Sequence, residues 1–202
     1  MTSVTLDVAL DGEPFRQIMA ALAAGVAVVT SVDAAGIPRG LTTTAVTSVS
    51  LEPPLLLVCV GRESRTLPAI RHSRRFAVNF IDAAHAPVAR HFASKLEDKF
   101  ADTVWRPGTH GCPVLHEHSI AWAECMTERE VEAGDHVVVI GRIEHGGSAD
   151  HERMPLTYLR RRYGAWAALP SGGASVDELE RRRTSKGSEH EGVEAWQARP
   201  TR

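Results

Sequence analysis

The sequence predicts a mainly β protein, an antiparallel β-barrel with a few short flanking helices. Three observations carry this. Short β-branched and apolar runs recur along the chain with turn residues between them. Two glycine turns, Asp33-Ala34-Ala35-Gly36 and Ala133-Gly134-Asp135, read as hairpin links. Strands and helices do not alternate regularly, which disfavours a doubly wound parallel sheet. Closing the sheet on itself also removes exposed edges.

The elements follow in order. Residues 1–12 read as a flexible leader. Glu13 to Ala24 reads as a helix, with Pro14 in its first turn. Phe15, Ile18, Met19 and Leu22 recur there at helical spacing, and Gly25 ends it. Val26 to Val32 is β-branched and reads as a strand, with Ile37 to Ala45 as its hairpin partner. Leu55 to Val60 is continuously apolar and reads as a buried strand.

A polar loop, Gly61 to Thr66, leads to a short helix over Leu67 to His72. Arg75 to Ile81 reads as a strand and His85 to Ser94 as a helix with Val88 and Phe92 inward. Residues 95–118 read as irregular. Ile120 to Glu130 and His136 to His145 read as two long strands, and Leu156 to Leu159 as a last one. After Pro170 charge becomes dense and Trp196 is the one aromatic. Such a stretch cannot bury enough apolar surface to fold alone. The organisation expected is one domain over residues 13–168 and a charged, flexible tail over 169–202.

Composition narrows the function. The chain has 202 residues, 43% of them hydrophobic, enough for one domain with a real core. The net charge of −2 argues against a nucleic-acid binder, which carries a strongly basic face. Arg160-Arg161-Arg162 and Arg181-Arg182-Arg183 read as solvated runs. Cys59, Cys112 and Cys125 are widely spaced and odd in number, which suits neither a disulfide framework nor a zinc site. Cys59 and Cys125 sit in apolar runs and read as buried small hydrophobes. Neither a signal peptide nor a bilayer-spanning stretch is evident, so the reading is soluble and cytoplasmic, with no membrane partner.

Common catalytic sets do not occur. The chain lacks a dinucleotide-binding glycine fingerprint after a strand, a phosphate-binding Walker loop and a G-x-S-x-G elbow. His116-Glu117-His118 lacks the i, i+4 spacing of a helical zinc pair and reads as an exposed loop. His145 and His151 read as surface residues. No metal site is expected.

The stretch from Gly40 to Pro54 is the most informative. Thr42, Thr43, Thr44, Thr47 and Ser48 crowd hydroxyls into one segment stiffened by Pro53 and Pro54. This suits a ligand with phosphate, ribityl and carbonyl oxygens. It equally suits a strand with a Thr-rich exposed face. Three further segments stand with it. Arg62-Glu63-Ser64-Arg65-Thr66 puts hydroxyls and arginines in a short loop, where a phosphate could take charge-assisted hydrogen bonds. Phe76 to Phe80 is followed by His91-Phe92-Ala93-Ser94 and Asp98-Lys99-Phe100-Ala101. Glu132 to Gly141 carries a Gly-Asp-His turn entering a strand, and Pro155-Leu156-Thr157-Tyr158 with Arg160, Arg162 and Tyr163 closes the set.

In this order, over about residues 14–165, these segments resemble the flavin reductase-like family. The resemblance implies an FMN-binding split barrel of Greek-key type. It implies an NAD(P)H-dependent flavin reductase that passes hydride from NADH or NADPH to FMN or FAD. It also implies a homodimer that supplies reduced flavin to a partner monooxygenase. By position, Thr42, Thr43, Thr44 and Ala45 would lie along the flavin ring and ribityl chain. Thr47 and Ser48 would continue towards the phosphate, which Ser64, Arg65 and Thr66 would hold. Phe92 and Lys99 would lie near the outer part of the flavin. His136 would face the nicotinamide, with Arg162 and Tyr163 near the same pocket. The alternative for His136 is a residue that caps its hairpin turn. Many relatives have Asn-Ser where this chain has Thr44-Ala45, and the tail has no counterpart. Two other functions remain open: a flavin-binding electron carrier or sensor, and a flavin-bound oxidoreductase with another substrate.

Overall fold

The computed structural model describes residues 12–149 and 153–166. Residues 1–11 of the leader expected over 1–12, the tail over 169–202 and His151 lie outside the described residues, while Gly12 is already helical. The chain opens with a helix, α1 (Gly12–Ala20), and the short strand β1 (Ala24–Gly25). A first run of strands follows: β2 (Ala27–Val32), β3 (Pro38–Thr43), β4 (Val46–Ser50) and β5 (Leu55–Gly61). Then come α2 (Thr66–Ser73), β6 (Arg75–Ile81) and α3 (Ala86–Ala93). Two-residue strands β7 (Arg106–Pro107) and β8 (Pro113–Val114) precede the long pair β9 (Ser119–Ala133) and β10 (His136–Ser148). The described domain ends in the hairpin β11 (Leu156–Leu159) and β12 (Arg162–Ala165).

Seven strands form one antiparallel sheet in the order β3-β2-β6-β9-β10-β5-β4. Its two edges, β3 and β4, are joined by only Thr44 and Ala45. A flat seven-stranded sheet would hold its edges about 29 Å apart, at about 4.8 Å per spacing. Three residues of chain reach at most about 10 Å. The sheet is therefore rolled into a barrel, with β3 and β4 facing each other across a split at Thr44-Ala45. The Ala45 carbonyl accepts a hydrogen bond from the Cys59 amide at 3.0 Å, which ties the link to β5.

The core explains the strand sequences. Inside the barrel, Val29, Val58, Val60, Phe76, Val78, Val137 and Val139 are all fully buried. Leu67 and Ile70 of α2 join this cluster. Outside it, Val26 and Val28 pack with Ala89 and Phe92 of α3, Phe100, Leu115 and Leu156. Strand β2 is thus buried on both faces, which is why its sequence is mostly apolar, and its buried Thr30 and Ser31 hydroxyls donate to the Pro113 and Arg75 carbonyls. Each such Val or Phe contributes about 1.5–3 kcal/mol on burial.

Strand β5 differs from its expectation. Leu56, Val58 and Val60 are buried, but Leu55, Leu57 and Cys59 are only half-buried. Its apolar run therefore has one core face and one face over the split.

Three other elements depart from the sequence reading. Helix α1 ends at Ala20, and Phe15, Ile18, Met19 and Leu22 lie exposed rather than against the core. Strand β4 forms within the hydroxyl-rich segment, so that segment is part strand and part link. Strand β12 is an addition. Its turn, Arg160-Arg161, puts both arginines at positive φ, 48° and 62°. Two-residue hairpin turns of this kind favour Asn-Gly, so two arginines give no turn signal. Contacts with α1 hold them there: Arg160 N donates to the Ala20 carbonyl at 2.7 Å, and Arg161 pairs with Glu13. Among the described residues, no helix is long and apolar enough to cross a membrane.

Candidate active site

The split opens into two adjoining cavities. The first, about 560 Å³, is walled by Thr42, Thr43, Thr44 and Ala45 on one side and by His136, Tyr158 and Tyr163 on the other, with Cys59, Ala93 and Ala133. The second, about 440 Å³, shares Thr42 and Ala93 with it and runs on to Ser64, Arg65, Thr66 and Lys99. One groove thus joins two loops that are about twenty residues apart in sequence.

Each wall has a local cause. In the link between the barrel's edges, the Thr43 hydroxyl accepts from the Ala45 amide at 3.0 Å. This local turn holds Thr44 and Ala45 out from the sheet, exposed to the groove. The Thr42 hydroxyl instead donates to the Ala89 carbonyl at 2.6 Å, fastening β3 to α3.

The second cavity is lined by four cations, Arg39, Arg65, Lys95 and Lys99, against two carboxylates, Glu63 and Glu97. Arg65 is the N-cap of α2, and Thr66 is the first helical residue. The Ser64 hydroxyl accepts from the Thr66 amide at 3.2 Å. The positive end of the α2 dipole therefore points at this wall. Lys99 donates from Nζ to the Phe92 carbonyl at 2.7 Å and to Gly40 at 3.3 Å. Burial, and then the nearby Arg65 charge, pull the Lys99 ammonium below its ordinary value. Holding two cations close, one of them desolvated, has a cost that a bound anion offsets. Arg65 also reaches the Leu96 carbonyl and lies 3.9 Å from Glu97.

Phe92 is placed differently from the other predicted residues. It is fully buried, with its ring edge-on to Phe100 at 5.0 Å between centroids. A side chain at Gly40 would meet the Phe92 ring at 2.7 Å. Phe92 backs the cavity wall, and Gly40 is small because that ring lies against it.

At the other end, His136 begins β10 just after the Gly134-Asp135 turn. Gly134 takes a φ of +62°, the left-handed region that glycine enters at little cost. The His136 ring sets Nδ1 2.8 Å from an Asp135 carboxylate oxygen. That hydrogen bond and the imidazole charge hold the Asp135 carboxyl below its usual range. Nε2 lies over Gly61, 3.8 Å from where a Cβ there would stand. Opposite, the Tyr158 and Tyr163 rings lie tilted against each other with centroids 5.1 Å apart, and the Arg90 guanidinium lies 5.6 Å from the Tyr163 ring. Burial raises the Tyr163 phenol, with Tyr158 adding to the rise and Arg90 opposing it.

The groove gathers Thr42–Ala45, Ser64–Thr66, Phe92, Lys99, His136 and Tyr163. It does not gather three others. Arg162 is exposed and lines neither cavity, because strand alternation sends it away from Tyr163. Thr47 and Ser48 lie exposed on β4 and line neither cavity. In the first cavity, four lining residues went unread: Cys59, Tyr158, Ala93 and Ala133. Cys59 alternates with buried Val58 and Val60, a signal masked by the uniformly apolar run. Cys112 and Cys125 are buried, and burial pushes both thiols up to about 12. His118 is not an exposed loop residue. Its ring lies edge-on to His85 at 4.9 Å, and that of His116 lies 4.4 Å from Trp122.

The profile of the flavin reductase like domain matches residues 19–167, which hold the whole groove. The chain belongs to the flavin reductase-like family. Related members of that family agree in sequence and shape. Flavin reductase (NADH) of Kitasatospora aureofaciens is 43% identical over 168 residues, covering 81% of this chain and 88% of that protein. Flavin reductase (NADPH) of Lentzea aerocolonigenes is 39% identical, covering 75% of this chain and 88% of its own. The NADH:FAD oxidoreductase SgcE6 of Streptomyces globisporus C-1027, solved with NAD and FAD fragments, superposes with a TM-score of 0.71. It is 31% identical, covering 79% of this chain and 93% of that one.

Proposed function

We propose that the groove transfers a hydride from NADH or NADPH to FMN or FAD, and that the reduced flavin is passed to a flavin-dependent monooxygenase. The observation that carries this is the continuity of the two cavities. A wall of hydroxyls and exposed backbone at Thr43–Ala45 leads into a cavity lined by Arg65, Lys99 and the α2 N-terminus. That sequence of donors fits a flavin's ring and chain followed by its phosphate.

When bound, the flavin supplies the hydride acceptor and the nicotinamide supplies the hydride. The chain's residues bind and align. Thr44 and Ala45 border the flavin ring and offer backbone groups to its polar edge. Ser64, Arg65 and Lys99 hold the phosphate by charge-assisted hydrogen bonds. His136, fixed by Asp135, contacts the nicotinamide from one side, and Tyr163 closes the other. Tyr158, Tyr163 and Cys59 would line the cleft around the rings. Stacking two rings at a fixed separation is the main contribution asked of the protein.

A homodimer in the cytoplasm belongs to the same reading. Exposed Phe15, Ile18 and Met19 on α1, with Leu22 just after it, support it, since contiguous exposed apolar side chains mark surfaces that a partner covers. The test is NADH oxidation with FMN, FAD and riboflavin compared side by side. Oxidation is expected to be slow until free flavin is added. A rate indifferent to added flavin would leave a flavin-binding carrier or sensor as the better description.

A further inference from the structure

The aromatic residues at the nicotinamide end are held unequally. His136 stands on β10, which has strand neighbours on both sides in the seven-stranded sheet. Tyr158 stands on β11, the middle strand of a second sheet of order β1-β11-β12. Its backbone is opposite Ala24 of β1 and Tyr163 of β12, and the Leu156 carbonyl of the same strand accepts from the Val26 amide at 2.9 Å. Tyr163 stands on β12, an edge of that sheet, with β11 as its one strand neighbour among the described residues. The turn before it holds Arg160 and Arg161 at positive φ. An edge strand behind a turn of this kind has few contacts to fix it, so the Tyr163 ring depends on contacts of its own.

Helix α3 supplies one. The Arg90 guanidinium lies over the Tyr163 ring, 5.6 Å from its centroid. A guanidinium within about 6 Å of a ring centroid is attracted to the negative face of the ring. Where Arg71, Arg75 and Arg142 meet carboxylates, Arg90 meets an aromatic face. The neighbouring Ala89 carbonyl accepts the Thr42 hydroxyl at 2.6 Å, on the opposite wall of the cleft. Successive residues of α3 therefore touch both walls, and Ala93, further along the helix, lines both cavities.

We propose that Arg90 is a positioning residue for hydride transfer, which holds the Tyr163 ring against the nicotinamide end of the groove and so sets the distance between the two walls through α3. The inference rests on the flavin-reductase reading given above. Arg90 lines neither cavity, so it acts through Tyr163 and not on a bound nucleotide.

The phenol reports the contact independently of turnover. Burial raises the Tyr163 phenol, Tyr158 adds to the rise, and the Arg90 charge opposes it. Removing that charge moves the phenol further up. The chain has two tyrosines, Tyr158 and Tyr163, so an alkaline absorbance titration follows both.

Three variants test the proposal. Arg90→Met keeps much of the stem and removes the charge, Arg90→Lys keeps the charge, and Tyr163→Leu removes the ring. Arg90→Met is expected to raise the Michaelis constant for NADH about threefold, the scale of one exposed cation–π contact, with kcat and flavin affinity nearly unchanged. Arg90→Lys should recover most of that loss. In the Tyr163→Leu background Arg90→Met should add nothing, because the partner ring is gone. In the titration, Arg90→Met should move one phenol step to higher pH, and Tyr163→Leu should remove that step. Unchanged NADH kinetics or an unmoved phenol in Arg90→Met overturns the proposal. So does a loss that persists in the Tyr163→Leu background, which would put the guanidinium on the nucleotide itself. An equal loss of NADH and flavin with a lowered Tm overturns it too, since Arg90 would then act on the fold alone. If the wild-type chain oxidises no NADH with any flavin, the flavin-reductase reading fails and takes the role in hydride transfer with it, while the phenol titration still decides whether Arg90 holds Tyr163.

Discussion

The Lys99 ammonium lies 2.7 Å from the carbonyl of Phe92, the penultimate residue of α3. One side chain thus satisfies a carbonyl that the helix leaves open and sets its charge on the anion cavity. Its second contact, to the Gly40 carbonyl, ties α3 to β3. Lys99→Met keeps most of the stem and removes the charge. It should weaken flavin binding by about 1.5–3 kcal/mol, the scale of a hydrogen bond to a charged group. Riboflavin, which has no phosphate, should lose little. Isothermal titration with FMN, FAD and riboflavin decides it, and equal losses for all three would mean that Lys99 acts only on the fold.

Gly40 is the complement of the same corner. A methyl there would stand 2.7 Å from the Phe92 ring and 3.2 Å from Phe100. Both rings are buried and cannot swing aside without disturbing the outer core. Gly40→Ala should cost about 1–3 kcal/mol of stability through overpacking. Thermal unfolding should show a lowered Tm. A Tm equal to that of the wild type would show that the Phe92-Phe100 pair repacks freely.

His136 and Asp135 make the clearest test of the nicotinamide end. His136→Ala should raise the Michaelis constant for NADH by about tenfold, the loss of one contact of about 1.4 kcal/mol, with flavin affinity nearly unchanged. Steady-state kinetics with each substrate varied separate the two. A selective loss of flavin binding would place the imidazole on the flavin side. The pairing also has a pH signature. The Asp135 carboxyl is held low by His136, so the contact is complete above the ordinary carboxylate range and is lost as pH falls through the lowered value.

His118 sets a different pH dependence. Burial, then His85 and Arg153, push its imidazole below the ordinary value, with Glu117 opposing. The unfolded chain therefore takes up a proton at a pH where the folded chain does not. Stability from this residue is present above the ordinary imidazole value and is lost as pH falls towards the lowered one. The nearby groups are His85 at 4.9 Å, and Asp82, which lies 3.8 Å from His85 and 3.9 Å from Arg153. Tm measured from about pH 7.5 down to about pH 5.5 should fall, and His118→Phe should flatten that limb. An unchanged slope in the variant would assign the acid sensitivity elsewhere.

Much of this protein can be read along the chain. The β-branched run of β2, the Gly134-Asp135 turn and the absence of β-α-β alternation determine an antiparallel sheet, because side-chain period and turn chemistry act over a few residues. The ordered set of hydroxyl, Ser-Arg-Thr and Gly-Asp-His segments likewise determined the family. Only tertiary structure decided how these segments meet. The two-residue link at Thr44-Ala45 becomes a cleft because β3 and β4, neighbours in sequence, are opposite edges of a rolled seven-stranded sheet. Alternation along β12 turned Tyr163 into the groove and Arg162 out of it, and nothing in the arginine pair before it announced a turn. Cys59 and Tyr158 entered the site through the face their strands present to the split, which depends on register. A cavity bordered by both Ile37 and Ala101 joins residues more than sixty apart, and no local pattern foretells that meeting. Local sequence carries propensity and turn type; the site depends on which distant faces are brought together, and that is set by packing.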